Sequence, residues 1–540
     1  MIINDINVCL CQKMGLSFIK MWSKNCDFDK TRRHFLWFST RNRLLLQAHK
    51  KPFMRKSFVV GRKREIALLK ECHKTAKSEF VVVYGRRRIG KTFIVNESLS
   101  KNFVFQATGL FAQPRAEQLK NFYNAMQKWF GEELLAKSSV KKCPKDWGET
   151  FTVLERLLTA VPKPKRGKKV VFLDELPWMD TQRSGFIAAL EHFWNSYAAW
   201  THDIILVVCG SAASWIVDRV INNKGGLHNR LTRRIHLQPF TLSETEQFLK
   251  GKGFRWNRYD VAQCYMSMGG IPYYLDNIPS DANSYPLAID KMFFSQDGIL
   301  REEYNLLYKS LFINSSSYEA IVEQLAMKKM GMTMSEITEA AKLVIGGNIT
   351  EYLSNLERCG FVRKYNAYGN KKKATLYQLT DLYTLFYLQF VKENVSTGGA
   401  HWQTMIDSPS RRAWMGYAFE IVCLTHIEQI RSALGFSSVN CSVSAWKTKK
   451  TEEHDGAQID LVIDRRDQVI NLCEMKFANA KYAVDAKYED ELRNKVNAFQ
   501  IETKTTSALQ LTMVTTYGVK QNSHSGIIAS QVVLDDLFKE

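Results

Sequence analysis

The sequence predicts an α/β protein built on a parallel sheet, followed by a small helix-and-hairpin unit and a second α/β unit. Three observations predict it. The apolar run Val81–Val83 leads through Tyr84 straight into Gly85-Arg86-Arg87-Arg88-Ile89-Gly90-Lys91-Thr92, and Lys91–Leu99 then reads as a helix. A second apolar run, Val170–Leu173, ends in the adjacent carboxylates Asp174 and Glu175. Near the C-terminus, Gln458–Asp464 and Val469–Lys476 read as the two arms of a hairpin with Asp460 on one and Glu474 and Lys476 on the other.

Gly85 to Thr92 fits G-x-x-x-x-G-K-[ST], the P-loop pattern. The two glycines let backbone N–H groups curl round a phosphate, and the helix N-terminus turns its dipole on the anion. Gly85, Arg86, Arg87, Arg88, Ile89, Gly90, Lys91 and Thr92 are therefore expected to hold a nucleotide. Lys91 is expected on the β- and γ-phosphates and Thr92 on Mg²⁺. Asp174 and Glu175 follow Lys91 by 83 and 84 residues at the end of a buried strand, which faces the ligand crevice in open α/β sheets. Asp174 is expected to hold Mg²⁺ through water, and Glu175 to polarise the attacking water.

Asp203–Cys209 predicts a third buried strand. Ser211 after it is expected to sense the γ-phosphate, the alternative being a cap for a helix Ala212–Ile221. In the basic stretch Leu227–Ile235, Arg230 and Arg233 are candidates to neutralise transition-state charge, in cis or across a subunit contact. Gly269-Gly270-Ile271-Pro272 closes a helical segment and is a candidate adenine cover.

These pieces resemble the archaeal-type P-loop ATPases of the AAA+/STAND group. The resemblance rests on Val60-Gly61-Arg62, Gly85–Thr92, Leu173-Asp174-Glu175, Gly210-Ser211, Arg230-Leu231-Thr232 and Gly270-Ile271-Pro272. It implies a five-stranded parallel NTPase core with a helical lid over residues 57–280, ATP as ligand, and adenine contacts from Gly61, Arg62 and Pro272. One departure is Asn229 where the family often has glycine, which weakens the finger role of Arg230.

Residues 281–395 carry a helical linker and then helices Tyr318–Met327, Ser335–Lys342 and Asn348–Arg358. A hairpin follows round Gly369-Asn370-Lys371-Lys372-Lys373, and the whole predicts a winged helix. Its third helix could enter a major groove and its lysines touch phosphate.

Residues 396–540 contain the amphipathic helix Ala413–Leu434, with Glu420, and the hairpin. Asp460, Glu474 and Lys476 make D-x₁₃-E-x-K. Glu474 and Lys476, two apart on a strand, share a face. Two carboxylates and a lysine on one face call for a cation or substrate. Asp460 and Glu474 are expected to bind Mg²⁺, Lys476 to position water against a phosphodiester, and Glu420 to assist. Phe419-Glu420, Gln458-Ile459-Asp460 and Cys473-Glu474-Met475-Lys476-Phe477 resemble the PD-(D/E)XK restriction-endonuclease-like domain fused to this ATPase family.

Composition agrees with such a chain. At 540 residues it has room for three or four domains, and its net charge of +21 calls for an anionic partner, DNA first and an anionic membrane surface second. Residues 1–56 carry 12 Lys/Arg against 3 Asp, so +12 remains without them. They are expected to be a disordered basic extension, with Met54 as the working start. Eleven cysteines without a C-x-x-C pair signal neither zinc nor a disulfide framework and suggest a cytoplasmic location. No apolar run reaches the ~18 residues of a membrane span. A homo-oligomer is open. The other function class is a nucleotide-dependent switch or scaffold whose degenerate nuclease domain only binds.

Overall fold

The apolar runs form a parallel sheet. Its strands are β1 (Glu79–Tyr84), β2 (Phe103–Thr108), β3 (Lys169–Asp174), β4 (Ile204–Gly210) and β5 (Arg233–His236), in the order β2-β3-β4-β1-β5. Every neighbouring pair is parallel. The computed structural model describes residues 59–137, 142–223, 225–227, 229–312, 314–343, 348–369, 375–394 and 401–540. The expected extension 1–56 and the lysines Lys371, Lys372 and Lys373 lie outside the described residues.

Strand alternation divides the burial. Phe80, Val82, Val171, Leu173, Leu206 and Val208 pack with Phe122, Trp147 and Phe151 on one face. Val81, Val83, Val170, Phe172, Ile205 and Val207 pack with Ile94 and Val95 on the other. A sheet buried on both faces needs near-continuous apolar strands, which is why these runs were legible. The C-terminal ends of β1, β3 and β4 then share one edge.

Helices Leu242–Gly251, Arg258–Met268 and Pro272–Asp276 follow β5. The first starts in a capping box between Thr241 and Glu244, and Gly269 stops the second in the left-handed region at φ 69°. Next, helices Ser315–Met327, Met334–Ala340 and Asn348–Arg358 pack with a small antiparallel sheet. Its strands are β6 (Met332–Thr333), β7 (Val362–Asn366) and β8 (Thr375–Leu379), ordered β6-β8-β7. The third helix buries Ile349, Leu353 and Leu356. Its last residue, Arg358, reaches Asp218 beyond β4 at 2.7 Å. Tyr352 and Asn355 line a cleft opposite Trp178 and Trp215, so part of this helix faces the first sheet.

The last unit begins with helices Pro409–Thr425 and Ile427–Ala433, where one helix was expected. The break falls at His426, whose buried Nε2 accepts the Leu242 N–H at 3.0 Å while Nδ1 faces the Val422 carbonyl at 2.8 Å. Burial pushes this imidazole down to about 4. Strands β9 (Cys441–Thr448), β10 (Ala457–Arg465), β11 (Val469–Lys476), β12 (Ala508–Thr515) and β13 (Ser530–Val533) form one sheet in the order β13-β12-β11-β10-β9. The pairs β9–β10 and β10–β11 are antiparallel; β11–β12 and β12–β13 are parallel. The crossover from β11 to β12 carries the helix Ala486–Thr503, which buries Leu492, Ala498 and Phe499 on one face of the sheet. Leu461, Ile463 and Met475 on the other face join the core that runs back to β1.

Candidate functional site

The loop after β1 takes the shape its glycines allow. Gly85 has φ 141° and Gly90 has φ 86°. A Cβ at Gly85 would stand 2.4 Å from the Leu237 carbonyl oxygen, so no other residue fits there. Lys91 is buried, and its Nζ donates to the carbonyls of Gly85 at 3.1 Å and Arg86 at 2.8 Å. Thr92 Oγ1 donates to Asp174 Oδ2 at 2.8 Å, so the loop and β3 meet through a hydroxyl and a carboxylate. Burial pushes the Asp174 carboxyl up, and the Thr92 hydrogen bond opposes that shift.

Glu175 sits in the left-handed region at φ 47° and ψ 47°. Such a backbone costs about 1–3 kcal/mol for a residue with a Cβ and persists where surroundings hold it. Ser211 does the holding. Its Oγ donates to Glu175 Oε1, and its N–H donates to Oε2 at 3.3 Å. The capping alternative for Ser211 is thereby corrected, because Ala212 occupies the N-cap of the next helix and Ser211 turns to Glu175.

Gly61 and Arg62 lie against the helix Leu242–Gly251. The Arg62 N–H donates to Glu244 Oε1 at 3.3 Å, and its guanidinium donates to the Gln238 carbonyl at 2.5 Å and covers the Phe240 ring. Pro272 opens a short helix whose next residue, Tyr273, donates its N–H to the Arg88 carbonyl at 3.3 Å. Pro272 thus borders the loop.

Several predicted residues turn their side chains elsewhere. The Arg86 side chain runs to Asp381 and the Arg88 side chain to Glu303, so these two arginines leave only their backbones to a phosphate. Arg87 is half-buried and within electrostatic reach of Glu303. Ile89 is a core residue, packed under Gly85. Arg230 is exposed and precedes β5, where the Thr232 N–H bonds the Phe80 carbonyl at the start of β1. It stands at the sheet edge opposite the loop, because parallel strands put their starts together. A cis role is excluded by that placement.

The C-terminal carboxylates converge. Leu461 pairs with Cys473 across β10 and β11, and continuing that register sets Asp460 beside Glu474. Glu420, from the helix Pro409–Thr425, feels the charges of both. Burial, then the Asp460 charge, pushes the Glu420 carboxyl up to about 8. Burial also raises Asp460, although Gln458 Nε2 donates to its Oδ1 at 2.6 Å. Glu474 goes the other way. Its burial is outweighed by Lys495 at 2.6 Å from Oε2 and Lys476 at 3.2 Å from Oε1, and its carboxyl stays below the usual range. The structure thus brings the expected pair Asp460 and Glu474 together, with Glu474 held by two lysines. Each Glu474 oxygen already faces an ammonium, and among the described residues no group of three or more His, Cys, Asp or Glu is placed to hold a metal ion.

Residues 59–278 match the model of an ATPase domain found predominantly in Archaea. An uncharacterized protein of Methanocaldococcus jannaschii is 23% identical over 433 residues, covering 78% of this chain and 88% of its own length. Among solved structures, the Walker-type ATPase of Pyrococcus abyssi is similar at 17% identity and a TM-score of 0.46, over 63% of this chain and 98% of that one. The ORC2 protein of Aeropyrum pernix, solved as ADPNP–ADP complexes, is similar at 12% identity and a TM-score of 0.36, over 62% of this chain and 95% of that one.

The matched stretch ends at residue 278, before the helix-and-hairpin unit that supplies Asp381. Sequence reasoning missed Asp381, Glu303 and Lys495. Nothing in a linear pattern marks the first two, since each meets the loop only through the fold. Lys495 had a faint signal. Tyr488 and Lys495 are seven apart on a helix and share its face. Lys476 Nζ lies 4.9 Å from the Tyr488 ring centre.

Proposed function

We propose that this chain is an ATP-hydrolysing protein whose nucleotide state acts on a DNA-directed C-terminal site. The observation that carries it is the pair of contacts at the end of the loop: Thr92 on Asp174, and Ser211 on Glu175. The residues fit the group they imply. The loop N–H groups and Lys91 would take the phosphates, and Thr92 and Asp174 would hold Mg²⁺, which supplies charge neutralisation at phosphate oxygens. Gly61, Arg62 and Pro272 would border the adenine. Glu175 is the residue for water activation. Ser211 holds both its oxygens, so it sets the direction in which the carboxylate accepts a proton. Arg230 would complete the site only across a contact between copies of the chain.

We read residues 57–280 as the ATPase core and lid, 281–395 as linker and winged helix, and 396–540 as a PD-(D/E)XK-like domain in the order helix, three strands, helix, strand. The middle unit touches both ends. Asp381 and Glu303 reach the loop. Lys329 and Arg363 lie within electrostatic reach of Glu420 and Asp460 respectively. This contact is the support for coupling. In the present arrangement both Glu474 oxygens are paired with ammoniums, and no cleavage step is assigned to the site. Lys476 and Lys495 would take a phosphate by letting go of Glu474, with net charge +21 behind them. This favours the switch that binds DNA over the nuclease that cuts it. The eight described cysteines are all free, in keeping with a cytoplasmic protein. No helix among the described residues is long and apolar enough to cross a membrane.

Supercoiled DNA incubated with the protein, Mg²⁺ or Mn²⁺, with and without ATP, tests the reading. Retarded but uncut DNA is expected. Nicking that disappears in Asp460→Ala would restore the nuclease.

A further inference from the structure

Two arginines of the phosphate loop end on buried carboxylates far along the chain. Arg86 and Asp381 are 295 residues apart in sequence, and their side chains are 5% and 2% exposed. Both terminal guanidinium nitrogens donate to the carboxylate, Nη2 to Oδ2 at 3.1 Å. Asp381 is fixed in turn. Its Oδ2 accepts the Thr384 N–H at 3.1 Å and the Thr384 hydroxyl at 2.6 Å, at the start of helix Leu382–Phe386. The guanidinium also lies 4.8 Å over the Phe361 ring. Arg88 repeats the arrangement with Glu303 at 2.8 Å, and Tyr274 holds the other Glu303 oxygen at 2.9 Å.

The constraint enters the nucleotide site through backbone. The Arg86 carbonyl accepts Lys91 Nζ at 2.8 Å, so whatever fixes Arg86 fixes where the lysine rests. A buried pair of this kind is weak as a source of stability, because apolar residues of similar volume serve as well. What it supplies is a defined geometry. We propose that Asp381 is a positioning residue of the nucleotide site: through Arg86 it sets the backbone that holds Lys91, and makes phosphate affinity depend on how residues 375–391 are seated. Linkage makes the dependence mutual, so a bound nucleotide must also steady Asp381.

This inference rests on reading Gly85–Thr92 as a nucleotide site, and the test separates the two. Amide hydrogen exchange is measured on the wild-type full chain with and without saturating MgADP. Protection is expected both in residues 85–92 and in 380–391. Protection of the loop alone overturns the role of Asp381 and leaves the nucleotide site standing. Protection at neither, with no heat of binding, overturns both. Variants supply the second arm. Asp381→Asn should weaken MgADP binding by at least ~10-fold and raise KM for ATP with kcat changed little, the pattern of lost binding rather than lost chemistry. Arg86→Met with Asp381→Leu leaves no buried charge unpaired and should lose affinity as much. Arg358→Ala breaks the more exposed Arg358–Asp218 contact of the same unit and should change affinity less than ~2-fold. A folded Arg86→Met/Asp381→Leu protein with wild-type affinity would overturn the proposal.

Discussion

Replacing Glu420 with glutamine should stabilise the protein in alkali and leave it nearly unchanged in acid. Glu420 lies beside Asp460 and Glu474 with Lys329 and Lys476 in reach, and burial together with the Asp460 charge pushes its carboxyl up to about 8. A carboxyl whose pKa is raised by folding favours the folded state below its unfolded value. That advantage is lost as pH climbs towards the folded value. The relevant window therefore runs from the ordinary value of 4.5 to about 8. At ~1.4 kcal/mol per unit the ceiling is ~5 kcal/mol, and partial solvation of the site brings the expected effect to ~2 kcal/mol. The assay is urea denaturation of the full chain, read by amide exchange in β10 and β11, for wild type and Glu420→Gln at pH 5 and pH 9. Equal midpoints are expected at pH 5, and a higher midpoint for the variant at pH 9. A difference that does not change with pH would mean that Glu420 ionises freely. The three carboxylates would then not share one poorly hydrated site.

Glu175→Gln should bind ATP with wild-type affinity and turn it over at least ~10²-fold more slowly, the scale of a lost general base; equal turnover would remove Glu175 from the chemistry. Ser211→Ala should lower kcat with little change in KM, because Ser211 touches Glu175; a rise in KM alone would assign it to a phosphate instead. Lys476→Ala and Lys495→Ala should each weaken duplex binding and reduce its salt slope by ~1, and unchanged slopes would take DNA away from this site.

Much of this arrangement was legible in the sequence, for physical reasons that differ by region. β1, β3 and β4 are buried on both faces, so their apolar runs stand out, and a loop that must curl round an anion needs Gly85 and Gly90 where they are. The three short helices and hairpin of residues 315–379 showed through helix periodicity. The C-terminal hairpin gave away Asp460, Glu474 and Lys476 because strand alternation puts side chains two apart on one face. What stayed hidden depends on contacts between distant segments. A run of three arginines in a phosphate loop reads as phosphate-binding. Nothing local reveals that Asp381 and Glu303 claim two of them. Lys495 reaches Glu474 only because the helix after β11 folds back across the sheet, and with Lys476 it flanks that carboxylate with two ammoniums. Arg230 looked like a finger by its place in a basic stretch, but a parallel sheet puts strand starts at the edge away from the loop. His426 splits an expected single helix because its ring is drawn into a hydrogen bond with Leu242.

The central claim, a working nucleotide site at Gly85–Thr92, is tested most directly by calorimetric titration of MgATP into wild-type and Lys91→Ala proteins of matched circular dichroism. Lys91 is buried between the loop carbonyls and is the cation placed to exchange them for phosphate oxygens. Binding to the wild type and loss of most affinity in the variant is the predicted result, and unchanged binding by a folded Lys91→Ala protein would contradict it.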